Sequence, residues 1–355
     1  MAAPDFGSGA RTTIVSIETV EAVPSDKPAR DRAIGSALLA VGLATVLVAL
    51  FVMSPHSSWR AGIALIGIGL TWGGVQMLGR LRFGRNFALG LWFSMAWLSL
   101  VLLGAIFANV LPIEYYTKAK LSDRLARPGL EFDQPLGRDA NGGSLLSRVV
   151  FGARTSLTIV VLAVGIGLIV GCLLGLMAGY FGRALDAIIN IFATATLSFP
   201  ALILLFAIVA VFKPGTWSIA LGLAILSIPT YTRLMRAQTI ALLQRESVLS
   251  ARSMGASRWR VIFREIFPNA ILPVASYSFI SAAVVIVAEG SLAYLGLGVP
   301  SPKPSWGSMI AEGQIKLKTD PHLVFVPAVV MFLTVLSFNR LGDWARKHVL
   351  GETKI

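Results

Sequence analysis

A short arginine-rich segment between two apolar stretches, Arg245 to Asn269, has the clearest capacity to act on another molecule. Within it, residues at intervals of three and four share one helical face made mostly of small side chains. They are Val248, Ala251, Arg252 and Gly255. A face of this kind lets another protein's surface come close to the backbone. The pattern therefore indicates mechanical contact with a partner and not a chemical reaction.

The same segment carries signals for where its helices end. Gly255 supplies a break after the first helix, and a second short helix, Trp259 to Phe267, is expected to stop at Pro268 where apolar sequence resumes. The segment thus predicts a small, rigid projection of two short helices on which another molecule exerts force.

One acidic residue, Glu289, stands at the end of an apolar stretch that is otherwise free of ionisable side chains. An acid inside a membrane is by default a candidate for a transport pathway or a relay. The alternative, which we favour, is a carboxylate that reaches the membrane interface. A stand-alone carrier usually needs more such groups, and the two halves of the chain show no repeat.

The sequence contains no pattern for catalysis or for a bound cofactor. It lacks a P-loop, an H-E-x-x-H motif and a G-x-S-x-G motif, and its three histidines are far apart. The single cysteine, Cys172, excludes an intramolecular disulfide and a cysteine metal site. We therefore expect no catalytic residue, no metal and no cofactor on this chain, so any energy source must come from elsewhere.

Composition places the chain in a membrane. Of its 355 residues, 55% are hydrophobic and 14% are charged, with a mean hydropathy of +0.74. A soluble domain carries roughly 25% charged residues. The net charge of +13 lies mostly in short loops, which is typical of the positive-inside bias and not of a nucleic-acid surface.

A membrane-spanning helix needs about 20 apolar residues, and this criterion predicts eight spans. They are Ala33 to Met53, Ala61 to Leu78, Phe87 to Leu111, Ser156 to Tyr180, Ala187 to Phe212, Trp217 to Met235, Ala270 to Glu289, and Leu323 to Leu341. The polar stretch before them, 1–32, is expected to be a disordered tail.

The arginines predict which loops face the cytoplasm. The loop Gly79 to Asn86 has three arginines and no acid, and Arg233 to Phe267 has seven arginines and two acids, so both are predicted to be cytoplasmic, with both termini on the same side. The segment Pro112 to Thr155 should then face outward, although it holds seven basic and five acidic residues. This excess of basic residues on the predicted outer side conflicts with the positive-inside rule.

Glycine recurs at every fourth residue from Gly167 to Gly179, along one face of the fourth predicted span. Such a stripe allows close contact with another helix. The sequence leaves open whether that helix belongs to this chain or to a partner. Prolines within the predicted spans, such as Pro200 and Pro229, indicate bends.

Motifs along the chain resemble the inner-membrane permeases of binding-protein-dependent ABC importers, specifically the "C" permeases of the dipeptide, oligopeptide and nickel class. The resemblance covers about Phe87 to Lys354. Its motifs, in order, are Pro135–Gly143 (P-L-G-R-D-A-N-G-G), Leu146–Leu157, Ser198–Ala201 (S-F-P-A), the arginine-rich segment Arg245–Asn269, Glu289–Gly298, Pro304–Met309 and Phe338–Asp343. We call Arg245–Asn269 the coupling segment. Each is weak alone, but together and in this order they are specific.

The family's cytoplasmic loop has the pattern E-A-A-x-x-x-G followed by L-P-N, and this chain departs from it. Leu249 and Ser250 stand at the E and first A positions, whereas Ala251 and Gly255 match, and Phe267-Pro-Asn269 stands for L-P-N. The change puts an ionic contact by the family glutamate in doubt but leaves steric docking intact. The implied coupling residues are Ser247, Val248, Leu249, Ser250, Ala251, Arg252, Gly255, Ala256 and Ser257.

The resemblance implies an all-α integral membrane protein in the bacterial plasma membrane. Its six-helix type I permease core would span 87–355, with a coupling loop at 236–268 and two extra N-terminal helices at 33–86. The implied partners are a second homologous permease, two cytoplasmic P-loop ATPases that bind ATP and magnesium, an external solute-binding protein and membrane lipid, with no nucleic acid.

Resemblance also implies a wide, weakly selective pathway for peptides. Candidate pathway residues are Thr194, Ser198, Ser227, Thr230, Ser276, Ser281 and Glu289. Each of the hydroxyls could equally bond to its own helix. Nickel or another small solute stays open as the substrate, and a stand-alone secondary carrier is the alternative from another class.

Overall fold

The computed structural model describes residues 27–48, 59–83, 88–118, 120–129 and 135–351. Within these ranges the chain is helical, and its one β-type pairing is an isolated bridge between Arg138 and Ser144. The all-α prediction is therefore confirmed. Of the predicted tail, residues 27–32 begin the first helix, and residues 1–26 lie outside the described ranges.

Twelve helices follow one another in the described ranges. They are α1 (Lys27–Leu47), α2 (Trp59–Phe83), α3 (Leu89–Phe107), α4 (Leu145–Phe181), α5 (Arg183–Ser198), α6 (Ala201–Phe212), α7 (Thr216–Leu243), α8 (Glu246–Ser253), α9 (Arg258–Arg260), α10 (Phe267–Leu292), α11 (Trp306–Gly313) and α12 (His322–Gly351). Five helical stretches are long and apolar enough to span a membrane, or up to six if α5 and α6 count as one span. The prediction of eight spans is not confirmed.

The predicted fifth span, Ala187 to Phe212, is broken in two. Helices α5 and α6 meet at an angle of 95°. Proline cannot donate a backbone hydrogen bond and disfavours helical geometry in the residue before it. Phe199, before Pro200, is accordingly extended, with φ −78° and ψ 137°. The bend predicted at Pro200 is confirmed, and the predicted span is a sharply bent pair of helices.

The helix that was expected to stop at Pro268 continues instead. Helix α9 runs through a π-helical segment, Val261–Ile266, directly into α10. Pro268 comes directly after the π-helical segment, where the change of hydrogen-bond register accommodates a residue that lacks an N–H. Together with a second π-helical segment, Ala293–Leu297, these pieces form one long helix from Arg258 to Leu297.

Contacts divide the chain into two compact units, Met1–Leu89 and Gly90–Ile355. In the first unit, α1 and α2 pack closely through glycines. A Cβ atom on Gly74 would lie 2.6 Å from the backbone nitrogen of Leu39, so only glycine permits this approach. In the second unit, the core forms where α4, α7 and α10 meet, with parts of α3, α6 and α11.

The glycine stripe of α4 packs against α7 of the same chain. A Cβ atom on Gly171 would lie 2.5 Å from the Cβ of Tyr231, and one on Gly179 would lie 2.7 Å from the Cβ of Thr239. The sequence left open whether the stripe packs within this chain or against a partner. The structure shows that it packs against α7 of this chain.

Candidate functional site

Helix α4 connects two regions with different construction. With 37 residues it is roughly 55 Å long at 1.5 Å per residue, well beyond the ~30 Å hydrocarbon core of a bilayer. We call the region around its first residues the Leu145 end and the region around its last residues the Phe181 end. The predicted coupling residues lie at the Phe181 end.

Helix α8 is attached to the Phe181 end through one buried side chain. Val248 is only 1% exposed and packs in a cluster with Leu242, Val261, Ile262 and Ile266. This cluster also contains residues of α4, α7 and α10, so α8 packs on the same cluster as three long helices.

The turn after α8 has the geometry that the sequence predicted. Gly255 adopts φ +79°, a conformation that glycine reaches without strain, and no atom lies near the position of its missing Cβ. Ser257 then starts α9, and its hydroxyl accepts a hydrogen bond from the backbone N–H of Arg260 at 3.4 Å. A turn at Gly255 therefore separates the two helices, as expected.

The face of α8 that is turned outward differs from the predicted one. Because Val248 is buried, the stripe of Val248, Ala251 and Gly255 does not face outward as a whole. The exposed surface comes from Leu249, which is 49% exposed, and Met254, which is 81% exposed. Helical periodicity gives the shared face of a helix but not the direction in which that face points.

The remaining predicted coupling residues lie around this surface. Ser247, Ser250, Arg252, Gly255 and Ser257 are exposed, whereas Ala251 and Ala256 are half-buried. The guanidinium of Arg252 lies 5.4 Å from the ring centre of Tyr180, at the last turn of α4. Arg252 was predicted as a coupling residue, and its contact with Tyr180 ties α8 to α4 through a cation–π interaction.

The start of the long Arg258–Leu297 helix adds an exposed aromatic and basic surface. Trp259 and Phe263 stack with ring centres 5.9 Å apart, and Phe263 contacts Phe267 at 6.5 Å. Arg258, Arg260 and Arg264 are exposed there, and none forms an ion pair with another described residue. This surface is therefore free to meet a partner or lipid headgroups.

Glu289 is buried and does not reach an interface. Its side chain is 1% exposed; Ser305 donates a hydrogen bond to its Oε1 at 2.7 Å, and Ser156 donates to its Oε2 at 3.4 Å. Ser156 in turn accepts from the backbone N–H of Trp306 at 3.3 Å. The carboxylate thus joins α4 and α10 to the start of α11, and the interpretation as an interfacial acid was wrong.

Trp306 fills the space beside this network. It is fully buried, and its indole N–H donates to the carbonyl of Val149 at 3.1 Å. Ser305 caps α11, because its hydroxyl accepts from the backbone N–H of Ser308 and its own N–H donates to the Ser308 hydroxyl. The sequence interpretation treated this region as a loop and did not find α11.

Three of the six candidate pathway hydroxyls bond within their own helices. Ser198, Ser227 and Ser276 donate to backbone carbonyls three or four residues earlier. Ser281 is buried and Thr230 is half-buried. Thr194 is exposed and accepts a hydrogen bond from Arg233 at 3.0 Å. Nothing here assigns these residues to a pathway, which stays a prediction.

The Leu145 end contains an ionic network that the sequence interpretation missed. Arg138 is fully buried; its guanidinium forms an ion pair with Glu114 at 2.9 Å and donates to the carbonyl of Gly142 at 2.9 Å. Arg148 pairs with Asp139 and also, at 2.7 Å, with Glu312 of α11. The hydrogen bond from Arg138 lowers the pKa of Glu114 below its ordinary value.

This network accounts for two of the seven basic residues between Pro112 and Thr155, but the excess of two bases over acids stays, because Glu114 and Asp139 belong to the same segment. Arg138 and Arg148 are neutralised by acids inside the fold, so they do not act as free cations in a loop. The positive-inside rule concerns cations that remain near the membrane surface. The Asp139-Ala-Asn-Gly turn was the available signal, since Asp139 accepts hydrogen bonds from the backbone N–H groups of Asn141 and Gly143 at 2.8 and 2.7 Å.

Comparisons with known proteins agree with this arrangement. The family described as "Binding-protein-dependent transport system inner membrane component" matches residues 171–351. The chain is 37% identical over 211 residues to the glutathione transport system permease protein GsiD of Pectobacterium atrosepticum, covering 59% of this chain and 70% of that protein. It is 35% identical over 242 residues to the dipeptide transport system permease protein DppC of Alkalihalophilus pseudofirmus, covering 68% of this chain and 79% of that protein.

A solved amino acid ABC transporter with histidines aligns with 57% of this chain and 94% of its own chain, at 19% identity and a TM-score of 0.47.

Proposed function

The chain belongs to the family of binding-protein-dependent transport system inner membrane components, and we propose that it forms half of the translocation pathway of an ATP-driven importer of short peptides. The observation that carries this proposal is the 35% identity to a dipeptide permease across 79% of that protein's length. A glutathione permease of similar identity points to the same substrate class, since glutathione is itself a short peptide. The same matches favour an importer over a stand-alone carrier.

Helix α8 and the turn after it are the proposed contact with an ATPase. Leu249 and Met254 offer an exposed apolar surface, while the buried Val248 connects α8 to the cluster shared by α4, α7 and α10. A closing movement of the ATPase would shift the balance between two arrangements of these helices. Contact by apolar packing fits the presence of leucine where the family has glutamate.

The proposed assembly contains a second homologous permease, two cytoplasmic P-loop ATPases and an external solute-binding protein. ATP and magnesium would be bound by the ATPases, so this chain carries no catalytic residue. The Phe181 end and both termini are proposed to lie in the cytoplasm of the bacterial cell. The unpaired arginines near Trp259 support this side of the membrane.

Site-specific cross-linking tests the orientation and the ATPase contact. The only native cysteine, Cys172, is buried, so the unmodified chain serves as the background. Met254→Cys and Ile315→Cys are a matched pair, because the native side chains are 81% and 87% exposed but lie at different ends. In native membranes, Met254→Cys is expected to cross-link to a P-loop ATPase in a manner that changes on ATP binding, and Ile315→Cys is expected not to.

Uptake of labelled dipeptide, glutathione and nickel by cells with and without the gene tests the substrate. Loss of peptide uptake alone would support the proposal, and loss of nickel uptake alone would overturn the peptide assignment. ATPase capture at position 315 instead of 254 would reverse the proposed orientation while leaving the family unchanged.

A further inference from the structure

An apolar cavity of about 710 Å³ opens beside the Leu145 end, between α3, the first turns of α4 and α12. Its walls include Leu100, Gly104, Val149, Ala153 and Val330. Two tryptophans also line it, but both indole N–H groups are already bonded, one to Thr334 and one to a backbone carbonyl. The cavity therefore offers nothing to a polar ligand and fits a hydrocarbon chain.

A second cavity, of about 340 Å³, lies on the adjoining face of α4 and has the opposite character. Arg154 and Lys303 supply two positive charges, and no acidic side chain lines it. Hydroxyl-bearing residues make up most of the remaining wall: Tyr115, Tyr116, Thr155, Thr158 and Thr216. Thr216 is the first residue of the long helix α7, whose positive dipole end adds to the favourable field for an anion.

Arg154 connects the two cavities. Its Nε donates to the carbonyl of Ala105 at 2.8 Å and its Nη2 to the carbonyl of Ile106 at 3.0 Å, which caps the last turn of α3. Its Nη1 donates to Oδ1 of Asn109 at 3.2 Å. Ala105 and Ala153 line the apolar cavity, whereas Arg154 lines the basic one. These bonds fix the guanidinium at the boundary and leave N–H groups for a ligand, because a guanidinium has five. Lys303 forms no ion pair with any described residue.

We propose that these two cavities together bind one anionic phospholipid, with an acyl chain between α3, α4 and α12 and the phosphate at Lys303 and Arg154. Only an amphipathic anion matches both cavities. A soluble anion would explain the basic cavity alone, and an apolar helix would explain the apolar cavity alone. Lipid phosphates lie at the level where spanning helices leave the hydrocarbon, and basic residues attract them there.

The bound lipid would become part of the contact between α3 and the rest of the permease core. Arg154 holds α3 by its last turn, so a phosphate bound beside Arg154 stabilises that cap. The acyl chain fills space that would otherwise separate α3 from α4 and α12. We therefore expect anionic lipid to raise the stability of the assembled complex.

The test measures lipid retained by the purified assembled complex in native mass spectrometry, after incubation with phosphatidylglycerol or phosphatidylcholine. Lys303→Met removes one charge, and Gly104→Leu fills the apolar cavity, since no atom lies within 4 Å of the Cβ position of Gly104. Matched controls are Lys318→Met, in another exposed loop, and Gly165→Leu, which also has open space but does not line the cavity.

Unmodified complex is expected to retain phosphatidylglycerol in preference to phosphatidylcholine. Lys303→Met should lower that preference about fivefold, the effect of one basic residue near an anionic surface, and Gly104→Leu should lower retention of both lipids. The controls should behave like the unmodified complex. Equal retention of the two lipids, or no effect of either variant, would overturn the proposal.

Two competition arms identify the source of the anion. If sn-glycerol phosphate displaces the lipid as well as the intact phospholipid does, the site binds a free phosphate and the lipid proposal is wrong. If a free-acid dipeptide displaces the lipid but its amidated form does not, the basic cavity is a substrate site, and the lipid proposal is again wrong. Resistance to both soluble ligands supports it.

Discussion

The two ends of α4 are held together in different ways. At the Leu145 end, buried polar and aromatic groups hold together α4, α10, α11 and the segment before α4. Arg138, Glu289 and Trp306 are each no more than 1% exposed. At the Phe181 end, an ion pair of Asp186 with Arg236 joins α5 to α7, whereas α8 is attached by Val248 and by the contact of Arg252 with Tyr180. The frame at the Leu145 end is specified by many buried polar contacts, and α8 at the other end by a small apolar and cation–π contact.

This contrast matches what each end is proposed to do. Buried hydrogen bonds and ion pairs specify a single arrangement, because breaking any one of them leaves a costly unpaired group. An exposed helix with one apolar anchor can move as a lever and can accept a partner. A permease needs both, a frame that keeps its shape and a contact that receives force.

The largest expected effect is at the Leu145 end. Trp306→Ala removes a fully buried ring and its hydrogen bond to Val149, and we expect it to lower the free energy of unfolding by about 3–5 kcal/mol. Trp259→Ala, at the other end, removes a ring that is 64% exposed and should cost about 0.5 kcal/mol or less. Unfolding of the purified protein in lipid nanodiscs measures both, and equal losses would remove the contrast.

A smaller effect separates stability from coupling within α8. Val248→Ala empties part of a buried contact and should lower the free energy of unfolding by about 1–2 kcal/mol. Leu249→Ala, one residue away and 49% exposed in the native chain, should leave it within about 0.5 kcal/mol.

ATP-driven uptake completes the comparison between these two variants. Leu249→Ala should reduce uptake despite its normal stability, because it removes part of the proposed ATPase contact. Normal uptake in Leu249→Ala together with normal stability would show that Leu249 is not part of that contact.

The smallest expected effect is on how the stability of the protein changes at acidic pH. In the folded protein, the hydrogen bond from Arg138 and the contact with Lys120 hold the pKa of Glu114 below its ordinary value of 4.5. The stabilisation from Glu114 is therefore complete above about pH 4.5, which is the pKa of this carboxyl in the unfolded chain. It is lost as the pH falls through the lower pKa of Glu114 in the folded protein. Thermal unfolding between pH 7 and acidic pH should show a steeper loss for the unmodified protein than for Glu114→Gln.

The matched control for this measurement is Glu246→Gln at the Phe181 end. Glu246 is exposed and forms no ion pair with a described residue. Its replacement should leave the pH dependence as it is in the unmodified protein. A flatter profile in Glu246→Gln than in Glu114→Gln would place the acid sensitivity at the wrong end.

The sequence located most helices because apolar length is a local property. The stretches predicted around α3, α4, α7, α10 and α12 are helices, and the break at Gly255 is present. The effect of proline was harder to predict. Pro200 bends its predicted span, as expected, whereas Pro268 does not end a helix, because a π-helical segment leads directly into α10.

The candidate site was only partly predictable. The position of α8 and its small residues followed from the spacing, but the burial of Val248 did not. Glu289 was identified as unusual, yet its partners Ser156 and Ser305 are 133 and 16 residues away in the sequence. The pairing of Arg138 with Glu114, 24 residues apart, was equally hidden.

By itself, the sequence determined the class of this protein and its family, since these depend on composition and ordered local motifs. Only the tertiary structure decided that the glycine stripe of α4 packs against α7, that Glu289 is buried beneath α11, and that Val248 faces inward. The physical reason is that burial and pairing depend on which distant residues meet, and spacing along one chain does not encode that choice.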